Sequence, residues 1–532
     1  MMVMVAVAAL GASKIGRACV PPHDTFPFCD TQLSRSDRVS DLIERLTLEE
    51  KLPLLIARNS PKGNVSRLGI PEYDWGGNCI HGVQSRCSTV NGKCPTSYPN
   101  PNSLGSSFNR TIWEKMGGVI GIELRSLWLQ GVGENHPIRP NHTSALPHIG
   151  LDCWSPNIGI VRDPRWGRNL ETPSEDPLLN GLFGAAVTTG LQVGSDPTYH
   201  DARYLQAVVT LKHFAANSLE GDWGRDGHIT RHTDDAQISE YDLASTYLPA
   251  FKRSVIEGGA KGVMCSYNAI NGVPSCANKW LLQTTLREAW NFSGYVTSDS
   301  GAVQDIKGGM IAHRTQGHNY TQTWPATVAA ALNAGCDIES ATWGASGAFA
   351  TGGPYVKYTP AAISQGLTSM SAVDRALRHS LGLRFDLGLF DPIEKQPYWH
   401  VPPSVVQSPA HVALSLDATR QGLVLLQNGG GDRPTAVPTA SVDAAARVLP
   451  FVGGVRTAVL GPHVNDRNAI LGNYLGQICN ASMDARDCVP TVYEEIASLN
   501  AIAAKGMMSD AKRPFTPQTV ARGLWPFCRS LL

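Results

Sequence analysis

Several short apolar runs in this chain end in residues that can do chemistry. In chain order "WSPNIGIVRDP", "YLQAVVTLKHF", "GGAKGVMCSYN" and "SGYVTSDS" lead to Arg162 and Asp163, to Lys212 and His213, to Tyr267 and to Asp299. One Asp after a strand is ordinarily a helix N-cap or a turn residue. Side chains alternate across a strand, so Lys212 next to His213 is hard to explain by packing alone. A reactive carboxylate is the other reading of Asp299. It gains weight only if the other strand ends meet it.

The elements that would bring them together are legible. Helix-like segments, "LLNGLFGAAVTTGLQV", "EYDLASTYLPAFKRSVIEG" and "TWPATVAAALNAG", lie between the apolar runs, and "LNAGCDIES" ends the series. Strand alternating with helix over about 350 residues signals a parallel α/β architecture. In a (β/α)8 barrel, a TIM-like fold, strand ends build the active site. Upstream, Val39, Leu42, Ile43, Leu46 and Leu48 recur at helical spacing, with Thr47 and Glu50 as a capping pair. Near Pro392 the Pro-rich "DPIEKQPYWHVPPSVVQSP" reads as a linker. Beyond it "HVALSLDATRQGLVLLQN" is helix then strand, "GVRTAVLGPHVN" is another strand, and periodicity fades after Asn500.

At 532 residues two or more domains are expected. The 17% charged fraction with zero net charge argues against a nucleic-acid binder. No apolar run approaches the roughly 18 residues of a membrane span. "MMVMVAVAALGASKIGRACVPP" resembles a secretory leader without its basic start. Acceptor sequons begin at Asn64, Asn109, Asn141, Asn291, Asn319 and Asn480. Of the 12 cysteines, Cys87 and Cys94, Cys265 and Cys276, and Cys479 and Cys488 are closely spaced. None forms a zinc pattern with matching histidines, so disulfides in an oxidising compartment are expected, with a secreted or vacuolar location.

The stretches "RVSDLIERLTLEEKL", "IHGV", "RDPRWGRNLETPSEDP", "LKHFAAN", "GVMCSYNAINGVPSCAN", "GYVTSDSGAV" and "ATRQGLVLLQN" occur in an order that resembles glycoside hydrolase family 3, in particular its β-xylosidase-like branch. The resemblance covers roughly residues 26 to 500. It implies a (β/α)8 barrel over 26–390, a linker over 391–410, an incomplete (α/β)6 sandwich over 411–503 and a divergent tail over 504–532, after a leader over 1–25. It also implies a retaining exo-β-glycosidase, in which one carboxylate attacks the anomeric carbon and a second carboxyl protonates the leaving oxygen. Asp299 matches the family nucleophile. Arg168, Lys212, His213 and Tyr267 match the glycon subsite; an ion pair with Glu171 or Glu175 is the alternative role for Arg168. No cofactor or metal is implied, and the partner is a small oligosaccharide or glycoside, most simply a xylo-oligosaccharide.

Two departures stand out. In "YDWGGNCIHGV" the family carries Asp or Glu where this chain has Asn78, a neutral acceptor. No stretch resembles the second-domain motif that supplies the acid/base Glu. Glu494 and Glu495 read as surface charges, and Asp226 with His228 as a loop pair that some relatives use for proton donation. The alternatives are thus a truncated, impaired relative that at most binds carbohydrate, a β-glucosidase, or an N-acetylglucosaminidase.

Overall fold

Strand register, more than helix packing, decides where the polar strand ends of this chain meet. The computed structural model describes residues 16–57, 63–134, 149–221, 229–311, 314–340, 353–428, 449, 459–478 and 489–499. Six strands carry the site: β1 (Ile56–Ala57), β2 (Asp152–Cys153), β3 (Val208–Phe214), β4 (Gly262–Cys265), β5 (Tyr295–Ser298) and β6 (Glu339–Ser340). β2, β3, β4 and β5 form one parallel sheet in that order. The array extends on both sides: Ile338 bridges Thr297 in parallel, β6 pairs with β1, and Gly77 bridges Cys153. The fold is therefore α/β with a parallel sheet. β3, "VVTLKHF", is buried at every position, as a strand covered on both faces must be.

Helices follow the strands. They are α1 (Arg35–Arg45), α2 (Arg110–Leu129), α3 (Pro177–Val193), α4 (Pro249–Ile256), α5 (Trp324–Ala334), α6 (Pro354–Ser364), α7 (Met370–Asp386) and α8 (Pro409–Gly422). The opening helix starts at Arg35 with Ser34 as its cap, and Thr47 with Glu50 forms the capping box that the sequence predicts. Asp176 caps α3 through the Leu178 amide. Helices α2 and α3 pack so closely that a Cβ at Gly190 would collide with the Glu114 carbonyl oxygen. The apolar side chains of these layers join in one continuous core.

Some expectations shift. In the run "WSPNIGIVRDP" the strand lies just upstream, at Asp152–Cys153, and residues 154–164 run beyond it with one parallel bridge from Asn157 to Lys212. Arg162 and Asp163 consequently leave the strand ends: Arg162 stacks 5.2 Å over Tyr247, and Asp163 is held by Arg165. The chain divides into one unit of residues 1–423 with 474–477, and another of 424–473 with 478–532. Helix α8, which the sequence reading gives to the second domain, lies in the first unit. Residues 423–428 form no strand, and Leu423 to Leu426 are exposed. The second unit's described residues hold two short helices, Arg467–Leu471 and Val492–Leu499. Residues 454–458 of "GVRTAVLGPHVN", Cys479 with Cys488, Asp226 with His228, and the tail from 504 lie outside the described residues, while 459–465 of that stretch form turns and irregular backbone rather than a strand.

Among the described residues four disulfides are formed. Cys87–Cys94 and Cys265–Cys276 close short loops as the spacing suggests; Cys19–Cys29, 10 residues apart, closes another, and Cys79–Cys153, 74 apart, has no spacing signal. The Asn109 sequon has a structural role, since its side chain caps α2 and donates to Gln421. Among the described residues no helix is long and apolar enough to cross a membrane.

Candidate active site

Asp299 stands one residue beyond β5. Its amide donates to the Cys265 carbonyl at 3.0 Å, so the neighbouring strand β4 fixes its backbone. One carboxylate oxygen, Oδ1, accepts from the Ser300 amide at 2.7 Å. The other, Oδ2, is shut off from solvent and accepts no hydrogen bond among the described residues. It lies 3.4 Å from His213 Nε2.

His213 and Lys212 both enter this site. β3 changes register against β4 between Leu211 and Phe214, and such an irregularity re-aims side chains that regular alternation would separate. His213 Nε2 also lies 3.3 Å from Arg168 Nη2. A guanidinium can only donate, so this contact makes Nε2 the acceptor and leaves the ring proton on Nδ1. Burial drives the His213 pKa well below its ordinary value, and the nearby Arg168, Lys212 and Arg231 charges push the same way. The ring is neutral near pH 7. It gives Oδ2 of Asp299 no proton to hold.

Arg168 is the hub. Its guanidinium binds Glu171 through Nε and Nη2, reaches the Tyr474 hydroxyl at 3.3 Å and lies 3.6 Å from Glu220. The Glu171 ion pair weighed for Arg168 is thus real, and coexists with the contact to His213. Lys212 donates to Asn78 Oδ1 at 3.2 Å, and its ammonium sits 4.4 Å from the centroid of the Tyr474 ring. The disulfide Cys79–Cys153 and a bond from the Cys79 amide to Ser155 tie the Asn78 segment to β2. Burial pushes the Tyr474 phenol up to about 12, with Arg168 opposing that rise. It therefore stays protonated and neutral.

Tyr267 closes another side. Burial, then the Asp299 charge, raises its phenol well above the usual range. The Arg231 guanidinium covers its ring at 5.0 Å and pairs with Glu220 at 3.1 Å. Behind it, His232 Nδ1 meets Asp305 Oδ2 at 2.7 Å, and the His232 ring packs 4.5 Å from the Tyr267 ring. His318 Nε2 lies 2.8 Å from the Tyr267 carbonyl.

The sequence-predicted set of Asp299, Arg168, Lys212, His213, Tyr267 and Asn78 thus forms one connected cluster. Glu220, Arg231, His232 and Tyr474 belong to it too, and sequence reasoning misses them. Glu220 and Arg231 sit in loop sequence without periodicity, and Tyr474 is 306 residues from Arg168. Glu494, by contrast, caps its own helix and pairs with Arg467, as a surface charge does.

Residues 142–383 match the model of the glycosyl hydrolase family 3 N-terminal domain. "Probable beta-D-xylosidase 7" of Arabidopsis thaliana is 38% identical over 475 residues, 87% of this chain and 54% of the relative. "Beta-xylosidase/alpha-L-arabinofuranosidase 1" of Medicago sativa subsp. varia is 35% identical over 480 residues, 88% and 54% of the two chains. A solved GH3 exo-β-xylosidase, XlnD, in complex with a xylobiose aziridine activity-based probe superposes with a TM-score of 0.69 at 30% identity, over 87% of this chain and 52% of that one. A β-glucosidase of Listeria innocua shares the fold at 21% identity and a TM-score of 0.62, over 92% and 62%. The chain spans about half the length of the curated relatives it matches, 54% of the first. The segment that supplies Arg168, Lys212, His213, Tyr267 and Asp299 is thus the one that matches the glycosyl hydrolase family 3 N-terminal domain.

Proposed function

We propose that this chain is a retaining exo-β-glycosidase that hydrolyses terminal β-xylosyl residues of xylo-oligosaccharides, with Asp299 as nucleophile. The observation that carries the reading is the Asp299 carboxylate, pinned through Oδ1 while its buried Oδ2 accepts no hydrogen bond among the described residues. An attacking oxygen needs an unshared lone pair and a fixed direction, and this one has both. The xylosidase names of the relatives favour xylose as glycon. In the same reading the parallel strands belong to a (β/α)8 barrel, and residues after the first unit belong to a sandwich domain. The four disulfides fit an extracellular or vacuolar protein.

The mechanism follows from the cluster. Arg168, Lys212, His213, Tyr267 and Asn78 grip the hydroxyls of the glycon and set its anomeric carbon against Oδ2. Asp299 displaces the leaving oxygen and forms a glycosyl ester, and water then releases the sugar with retained configuration. His213, held neutral, lines the site without protonating the nucleophile. In retaining chemistry a second carboxyl assists both steps. Substrates with good leaving groups need that assistance least for the first step. Aryl β-xylosides are therefore the assay: nitrophenol release by folded protein supports the reading. Calorimetric binding of xylobiose without any turnover would favour the carbohydrate-binding alternative instead.

A further inference from the structure

Two carboxylates flank the Arg168 guanidinium, and they differ in one respect. Glu171 is fully buried and fully engaged: both oxygens accept from Arg168, and Oε2 also accepts from Asn157. Glu220 is about a quarter exposed, at 26%, on the stretch that leaves β3. Its Oε2 accepts from Arg231 Nη1 at 3.1 Å. Its Oε1 stays 3.6 Å from Arg168 Nη1, and this buried oxygen accepts no hydrogen bond among the described residues. A buried acceptor without a donor is costly, and a donor from a ligand removes that cost. The two guanidinium groups beside it repel a cation, so the donor that fits is neutral. A sugar hydroxyl is such a donor.

The rest of the cluster sharpens the assignment. The Asn78 carbonyl oxygen already receives the Lys212 ammonium, and it is a neutral acceptor. An ionised carboxylate makes a shorter and stronger bond to a hydroxyl than an amide does. We infer that Glu220 is a glycon-binding residue, accepting a hydrogen bond from one substrate hydroxyl through Oε1. The inference rests on reading the cluster as a glycon subsite. It adds a specificity determinant, because a sugar lacking that hydroxyl leaves the oxygen unpaired.

The test is calorimetric titration in the Asp299→Asn background, which prevents turnover, with 4-nitrophenyl β-xyloside and its 2-, 3- and 4-deoxy analogues. Adding Glu220→Gln should weaken binding of the parent ligand about tenfold or more, the scale of a hydrogen bond to a charged group. One deoxy analogue should bind equally well with and without the Glu220→Gln substitution, while the other two keep the loss. Glu220→Asp, with melting curves to check folding, should recover part of the affinity. An equal loss for all four ligands would assign Glu220 a purely structural role through Arg168 and Arg231, and no loss would remove it from the site; either result overturns the inference. If the protein with Glu220 intact bound none of the four, the subsite reading would fall, and this assignment with it.

Discussion

Asp299 and His213 illustrate how little a site residue's type says about its state. The carboxylate is placed by two backbone contacts, to Cys265 and Ser300, and the imidazole beside it is uncharged because it is buried among cations. Replacing Asp299 by Asn should lower aryl β-xyloside turnover by about three orders of magnitude or more while leaving the melting temperature nearly unchanged. An unchanged rate would remove the proposed mechanism. His213 has a pH consequence of its own. Its folded pKa is depressed below 6.5, so its contribution is present above that value and is lost as pH falls, when the unfolded chain takes up a proton that the native one refuses. The fall in melting temperature below pH 6.5 should be shallower in His213→Gln than in the parent protein. At this scale Asp299, Lys212, His213 and Tyr267 are legible because each closes an apolar run. Arg168 and Asn78 come from motif resemblance. Glu220, Arg231 and Tyr474 are not legible, since their roles exist only once loops fold back on the strand ends.

Among the elements, β3 and β6 matter most to the site. The register break in β3 turns two neighbours into the same cluster, a feature that period-2 reasoning excludes. β6 is two residues long, yet Ser340 accepts from the Gly301 amide and donates its own amide to Ser298 Oγ, bracketing the Asp299 turn. Its other residue, Glu339, accepts from the Tyr355 amide at the start of α6. Burial raises the Glu339 acid from its ordinary 4.5 to about 8. Between those values the unfolded chain is ionised and the native one is not, so stability falls as pH rises through the window. Glu339→Gln should flatten that fall, gaining in melting temperature over the parent at pH 8 relative to pH 5; parallel curves would count against a protonated Glu339. Long helices and apolar strands are legible from periodicity. Two-residue strands such as β1 and β6 are not delimited, because pairing with neighbours rather than local sequence defines them.

Across the whole molecule, the first unit is held together by links distant in sequence. Cys79–Cys153 spans 74 residues and fixes the Asn78 segment on β2. Replacing both cysteines by Ala should cost about 2–5 kcal/mol of stability in denaturant titrations and weaken xylobiose binding, because Asn78 loses its anchor. Tyr474 returns to the first unit from beyond residue 423 and touches both Arg168 and Lys212. Such a contact carries no local signal. The parallel α/β class is legible from the alternation of runs, whereas the unit boundary is set by α8 packing at 409–422 rather than by the Pro-rich stretch before it.

The central claim is that Asp299 attacks the anomeric carbon of a β-xyloside. Incubation with 2,4-dinitrophenyl 2-deoxy-2-fluoro-β-xyloside, whose leaving group needs no acid and whose ester hydrolyses slowly, tests it by mass spectrometry of intact and digested protein. The account predicts one fluoroxylosyl group on the peptide containing Asp299, absent in Asp299→Asn. A label on any other carboxylate, or none on folded protein, would contradict it.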